Sequence, residues 1–296
     1  MAAPTSAPRL LRVGVLGIGR IGRQQALNCL RAFSQLKLIC ACSPTPDDIQ
    51  WASTHLAPYG VATYTSAAEM VSHPDLEAVI IASTTKLHAE HIRLCLSRGL
   101  HVLCEKPLAM NSTEARSIVE LAAKHPECSI MTAYSRRFDT SYQRALAAVQ
   151  EGKVGMPVVI RSQTCDMYDR SPFYMRYVMA NPGIFIDTTI HDVDLTLSFF
   201  GADARPAKVW ATGTVTLHPE LEEINDFDNA VGVVEWYPDQ TKGVPKRISY
   251  FYVSRTMKHG FDNSTEIIGT NGSLKINLTP RKDQVEVADE GEYDMT

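Results

Sequence analysis

The sequence has no surplus of positive charge, no C-x-x-C pair, no low-complexity tract and no apolar run long enough to cross a membrane. Each lack removes a class of protein. Lys and Arg number 29 against 33 Asp and Glu, and a formal charge of -4 offers no basic face of the kind that holds nucleic-acid phosphates. No nucleic-acid partner is expected. A span needs roughly 18 apolar residues, and Met1 to Pro8 lack the apolar stretch of a secretory leader, so no membrane partner is expected either. The seven cysteines are odd in number and dispersed, which excludes a regular disulfide framework or a thiolate metal cluster. They read as reduced core residues of a cytoplasmic protein. No segment repeats another.

What is present is a chain of 296 residues with 45% apolar content, enough for two domains with their own cores. From Leu10 to about Met131, short apolar runs alternate with helical stretches: strands at 12–16, 36–42, 78–82 and 101–104, helices at 21–33, 87–97 and 112–124. That alternation predicts βαβ units around a parallel sheet. Ser112-Thr113-Glu114 supplies hydroxyls and negative charge where a helix begins. From about Ser135 the pattern becomes a helix at 141–150 followed by β-branched and aromatic runs at 157–164, 208–217, 230–236, 248–253 and 266–268, with a hairpin signal at Thr270-Asn271-Gly272. The expected division is residues 1–135, of which 1–9 form a disordered lead-in, and residues 136–296.

The first strand runs into Gly17-Ile18-Gly19-Arg20-Ile21-Gly22. In G-x-G-x-x-G the first glycine permits the tight turn, the second lets the backbone approach a pyrophosphate, and the third lets helix pack on strand. The helix N-terminus presents free N–H groups to the phosphates. The acidic residue that usually holds the adenosine ribose should stand at the end of the second strand, where Ser43 is found. A hydroxyl does not repel a 2′-phosphate as a carboxylate does, which tilts the expectation from NAD toward NADP. No Arg or Lys stands beside Ser43, Asp47 or Asp48 could turn in, and Ser43-Pro44-Thr45-Pro46 also reads as a plain turn.

Two further segments carry proton chemistry. Oxidising an alcohol requires a base for the hydroxyl proton, and imidazole suits neutral pH. In Asp187-x-x-x-His191-x-x-Asp194, spacings of four and three put three polar side chains on one face if the stretch is helical. The same residues suit a capped helix start with a surface histidine, or ligands for a divalent metal; no further His or Cys cluster accompanies them, and no metal is expected. Lys106 follows an apolar strand and precedes Pro107, which puts it at the carboxyl end of the sheet where ligands gather. There it could steady a developing alkoxide; otherwise it is an exposed loop lysine.

Taken together, Gly17 to Gly22, Ala82-Ser83-Thr84-Thr85-Lys86-Leu87-His88, Glu105-Lys106-Pro107, Ser135-Arg136-Arg137-Phe138-Asp139, Asp187 to Asp194 and Phe261 to Gly272 resemble the glucose-fructose oxidoreductase / inositol dehydrogenase / MocA family, in order and over nearly the whole chain. Arg136 to Asp139 with Tyr142, and Asp187-Thr188-x-Ile190-His191, are most similar to inositol dehydrogenases. The resemblance implies an N-terminal Rossmann domain, a C-terminal α/β domain with an open, mainly antiparallel sheet, and a homodimer or homotetramer built through that sheet. It implies Lys106, Asp187 and His191 as the catalytic group, with Lys106, Arg137, Asp166, Asp194 and His191 on the substrate. Gly17, Gly19, Arg20, Ile21, Gly22, Ser43, Ser83, Thr84, His88, Glu105 and Lys106 are implied on NADP or NAD. Three departures stand out: Ser43 for an acid, Thr84 where a proline is common, and a chain that stops at Thr296 where many members continue.

The resulting expectation is an enzyme that moves a hydride between a nicotinamide and a polyol, inositol or sugar, in either direction. His191 would exchange the proton, Lys106 would polarise the oxygen and Asp187 would position one of them. All three would meet at one oxygen. A silent NADP-binding sensor on the same fold, or a member acting on a dihydrodiol or a halogenated substrate, are the competing readings. Substrate choice is expected to rest on a loop from Asp166 to Tyr177.

Overall fold

The computed structural model describes residues 9–277 apart from 240, 242 and 259. Residues 1–8 of the expected lead-in, and the segment beyond 277, lie outside the described residues. The chain divides into two compact units, 1–133 and 134–296.

The first unit runs β1 (Leu11–Leu16), α1 (Arg20–Arg31), β2 (Leu36–Cys42), α2 (Pro46–His55), β3 (Ala62–Tyr64), α3 (Ala67–Met70), β4 (Ala78–Ile81), α4 (Thr85–Leu96), β5 (His101–Cys104), α5 (Ser112–Ala122) and β6 (Ile130–Thr132). Its six strands pair in the order β3-β2-β1-β4-β5-β6, all parallel. That is the doubly wound arrangement with a reversal of strand order between β1 and β4. Val13 and Val15 pack with Ala26 and Cys29 of α1 and Ala52 of α2. Leu16, Val79 and Ile81 pack with Ile92, Cys95 and Ile118 of α4 and α5. Strands covered on both faces are apolar throughout, and this makes them readable from sequence.

α5 is capped by Asn111, whose Oδ1 accepts from Glu114 N at 2.9 Å, while Glu114 Oε2 accepts from Met110 N at 3.1 Å. The cap is therefore one residue earlier than the expected hydroxyls, with Glu114 reaching back past it to the N–H of Met110. The Pro44 to Pro46 stretch is more than a turn. Pro46 opens α2 with Asp47 and Asp48 in its first turn, a placement that proline and negative charge both favour.

The second unit contains α6 (Thr140–Gln150), β7 (Pro157–Met167), α7 (Pro172–Met179), α8 (Ile184–Asp187), α9 (Ile190–Phe200), β8 (Pro206–Thr214), β9 (Asn229–Trp236), β10 (Arg247–Met257), β11 (Asp262–Gly269) and β12 (Ser273–Ile276). Its six-stranded sheet has the order β12-β11-β7-β10-β9-β8. Only β7 and β10 run parallel; the other neighbours are antiparallel. One face packs Ile160, Trp236, Ile267 and Ile276 against Tyr142 and Ala145 of α6 and Leu195 and Phe199 of α9. The hairpin from β11 to β12 closes with Gly269 N donating to Gly272 O at 2.8 Å. The segment from Asp166 to Tyr177 is only in part a loop: Asp166 and Met167 finish β7, residues 168–171 connect, and α7 begins at Pro172 with Ser171 Oγ accepting from Tyr174 N at 3.2 Å.

Candidate active site

The glycine loop joins β1 to α1. Gly17 has φ +91°, and a Cβ on it would lie 2.5 Å from Ser83 N; a Cβ on Gly22 would lie 1.8 Å from Gly17 O. Both glycines are demanded by the protein's own backbone. Gly19 differs, since a Cβ there meets nothing within 4 Å. Gly19 also caps α1 with no side-chain hydrogen bond and no acidic residue in the first turn. Arg20 and Ile21, next in line, are exposed. An uncapped helix start behind an open, side-chain-free residue fits a pyrophosphate in shape and charge.

Ser83 and Thr84 follow β4 after Ala82, and Thr84 is exposed at the start of α4. Glu105 and Lys106 follow β5 directly, so both segments stand at the carboxyl end of the sheet. Gln25 Nε2 donates to Glu105 Oε1 at 3.2 Å, and Ser83 Oγ pairs with His91 Nδ1 at 2.9 Å. Burial holds the His91 imidazolium below the usual histidine range. The Lys106-Pro107 peptide is cis.

His88 is enclosed by backbone. It is 1% exposed, with Nδ1 2.8 Å from Pro107 O and Nε2 3.0 Å from Ser83 O. Each ring nitrogen lies beside a backbone carbonyl, so the ring ties the loop after β4 to the loop after β5. Ser43 is also less available than expected. It is 3% exposed and its hydroxyl donates to Asp48 Oδ2 at 2.7 Å, which removes the argument from a free hydroxyl toward NADP.

In the second unit, Asp187 ends α8 and His191 lies in the first turn of α9. The expected single helix is interrupted: His191 N bonds Thr188 O at 3.3 Å, and both Thr188 N and Thr189 N reach Ile184 O. The i to i+4 relation of Asp187 and His191 therefore does not hold as in a regular helix, whereas His191 and Asp194 do share α9. The start of α8 is fixed from a distant strand connection, because Asp226 Oδ1 accepts from Ile184 N at 2.9 Å while Arg255 Nη1 donates to Asp226 Oδ2 at 2.7 Å. Asp187 is 5% exposed and accepts from Tyr177 Oη at 3.1 Å. Tyr134 sets its ring edge-on to His191 with centroids 6.5 Å apart.

Asp194 is 6% exposed and takes a two-pronged contact from Arg137, Nε to Oδ2 at 2.7 Å and Nη2 to Oδ1 at 2.6 Å. The structure thus brings two of the expected substrate residues into one ion pair. Asp166 stands at the end of β7, partly buried. Asp192, which sequence reasoning passed over, is the centre of a second network: it accepts from Arg136 Nη1 at 3.0 Å, Ser162 Oγ at 2.6 Å and Thr164 Oγ1 at 2.7 Å. Burial pushes its carboxyl up, against the pull of Arg136 and the two hydroxyls. Its signal was legible, since Asp192, Leu195, Thr196 and Phe199 form the buried stripe of α9, and a carboxylate on such a stripe requires partners. Tyr177 gave no such signal, because ten residues separate it from Asp187 and no spacing rule links them.

Residues 11–134 match an oxidoreductase family with an NAD-binding Rossmann fold, GFO/IDH/MocA, and residues 142–275 match the GFO/IDH/MocA C-terminal domain. Over 265 residues the chain is 30% identical to a myo-inositol 2-dehydrogenase of Thermotoga maritima, covering 89% of this chain and 74% of that one. A scyllo-inositol 2-dehydrogenase (NAD(+)) of Bacillus subtilis is 28% identical over 267 residues, 90% of this chain and 73% of that one. Among solved structures, scyllo-inositol dehydrogenase from Lactobacillus casei with bound NAD(H) and scyllo-inositol superposes with a TM-score of 0.81 at 29% identity, over 95% of this chain and 80% of that one.

Proposed function

Because the chain belongs to the GFO/IDH/MocA oxidoreductase family, a nicotinamide-dependent family acting on hydroxyl carbons, we propose that it oxidises a ring polyol of the inositol type, or reduces the corresponding ketone. The observation that carries this reading is the pairing of an open, uncapped glycine loop with Lys106 placed at the carboxyl end of the same sheet. Gly17, Gly19 and the first turn of α1 would hold the pyrophosphate, and Ser83, Thr84 and Glu105 would border the nicotinamide. That group, when bound, takes or gives the hydride.

The protein's own residues do the rest. Lys106 donates a hydrogen bond to the reacting oxygen and lowers the cost of alkoxide character. His191 takes the hydroxyl proton on oxidation and returns it on reduction. Asp187, anchored by Tyr177, holds its neighbour in the chemistry by a charge-assisted hydrogen bond. Asp194, fixed by Arg137, retains lone pairs for a substrate hydroxyl, and a vicinal polyol offers several such hydroxyls. The three inositol dehydrogenases similar to this chain favour a ring polyol among the possible substrates.

Copies of the chain are proposed to associate through the outer face of the second sheet. Cross-strand neighbours share a face, and the row Trp210, Val233, Tyr250, Arg161 and Glu266 crosses it. Trp210 is 56% exposed and Tyr250 38%, an apolar area of the kind that marks an interface; sedimentation of the purified chain reads the oligomer directly. Among the described residues no helix is long and apolar enough to cross a membrane. The seven free thiols support a reducing, cytoplasmic setting.

The function is tested by following reduced cofactor with inositols, aldoses and linear polyols, each with NAD and NADP. Lys106→Ala and His191→Ala are expected to lower turnover by roughly 10²-fold or more while cofactor binding persists. Full turnover in both variants would overturn the assignment, and inactivity of the native protein on every pair would favour a sensor.

A further inference from the structure

We propose that Asp48, held from two sides beside the glycine loop, is the adenosine-ribose acid of this protein and selects NAD(H) over NADP(H). The proposal rests on the dinucleotide reading above and concerns one end of that site. β2 abuts the glycine loop, with Gly17 N donating to Cys42 O at 2.8 Å. Ser43, the next residue, turns inward and gives its hydroxyl to Asp48 Oδ2 at 2.7 Å. Arg23, on the first turns of α1, gives Nη2 to Asp48 Oδ1 at 2.8 Å and Nε to Ile18 O, inside the glycine loop, at 3.1 Å.

The carboxylate is thereby returned to the end of β2 from a position five residues later. In a doubly wound sheet that place faces the adenosine ribose. Asp47, its neighbour, is exposed, so only one of the two acids in the first turn of α2 is turned toward the loop. Asp48 has used one lone pair on each oxygen, and a carboxylate offers about four acceptor sites, so it can still take both hydroxyls of a ribose diol. Its side chain is 15% exposed, which leaves it reachable.

A 2′-phosphate brings about -1.5 to -2 charges and, as the dianion, no donor. It would meet the carboxylate at short range, and the cation beside that carboxylate, Arg23, is already engaged. Arg23 is paired with Asp48 and stacked over the Trp51 ring at 5.1 Å. Asp48 thus acts twice, by accepting from the diol and by occupying the guanidinium that would otherwise serve the phosphate.

Titration of the full-length protein with NADH and NADPH, followed by calorimetry or nicotinamide fluorescence, tests this without turnover. The native protein is expected to bind NADH at least about tenfold more tightly, a difference of roughly 1.4 kcal/mol. Asp48→Asn should weaken NADH, strengthen NADPH and bring the two together or reverse them. Adding Arg23→Ala to Asp48→Asn should abolish the gain for NADPH, whereas Ser43→Ala alone should keep NADH preferred. Equal or tighter binding of NADPH by the native protein overturns the proposal, and so does an unchanged ratio in folded Asp48→Asn. If that variant does not fold, the native ratio and Ser43→Ala still decide. Binding of neither nucleotide would instead overturn the dehydrogenase reading itself.

Discussion

Tyr177 donates its hydroxyl to Asp187 at 3.1 Å, joining α7 to the end of α8 at the residue proposed to support the proton transfer. Asp187 is almost fully buried, so its orientation depends on such partners more than a solvated carboxylate would. Tyr177→Phe keeps the ring and removes the donor. It is expected to lower kcat about fivefold, as losing a hydrogen bond of ~1 kcal/mol would, with NADH affinity unchanged. A purely structural hydroxyl would lower the melting temperature and leave kcat alone; steady-state kinetics beside thermal unfolding separate the two.

Much of this arrangement was readable beforehand, and the reasons differ by element. β2 and β5 are apolar runs in a parallel sheet covered on both faces, so their limits of Leu36 to Cys42 and His101 to Cys104 agree with the structure to the residue. β3 and β6 have only three residues each, too few to show a period. α7 reads as loop in the sequence because Pro172 and the aromatic residues around it obscure a helical pattern. The site divides the same way. Gly17 and Gly22 announce themselves because backbone contact demands them, whereas the roles of His88, Ser43 and Asp48 depend on partners 19, 5 and 25 residues away. Spacing rules find residues that serve one helix or one loop, and tertiary pairing decides the others.

The glycine loop separates folding from binding. Ala at Gly22 would place its Cβ 1.8 Å from Gly17 O, backbone against backbone, so Gly22→Ala is expected to lower the melting temperature and lose NADH binding together. Gly19 has φ -70° and open space around it. Gly19→Ala is therefore expected to fold with little change in melting temperature, yet to bind NADH about tenfold more weakly because the methyl meets the pyrophosphate, about 1.4 kcal/mol. Thermal unfolding and fluorescence titration of the two variants check the contrast.

Arg137 and Asp194 form a two-pronged ion pair, with contacts of 2.7 and 2.6 Å. Arg137's side chain is 49% exposed and Asp194's 6%, so water screens one end of the pair and keeps its contribution to stability modest, and its fixed geometry matters more. Asp194→Asn should leave the melting temperature nearly unchanged. For the polyol, KM is expected to rise about tenfold with a smaller fall in kcat, the pattern of lost uniform binding. An equal fall in kcat and kcat/KM would instead put Asp194 in the chemical step.

Asp228 provides a pH dependence with a defined sign. It is fully buried, and burial alone would raise its pKa. The N–H groups of Thr216, Leu217 and His218 at 2.8, 2.7 and 3.1 Å, with Asn229, outweigh that and hold the carboxyl below its ordinary value. A carboxylate with a depressed folded pKa stabilises the protein above its unfolded pKa, about 3.9. That stability is lost as pH falls through 3.9 toward the lower folded value. Asp228→Asn should lower stability at pH 7 by about 1 to 3 kcal/mol, since one amide oxygen replaces two acceptors and three donors lose a charge. The difference between the native protein and the variant should shrink on acidification below pH 4, because protonation removes from the native protein the charge that the variant already lacks. Urea unfolding of both proteins at pH 7 and pH 3.5 measures it; a difference that grows at the lower pH would reverse the sign and exclude Asp228 as the group responsible.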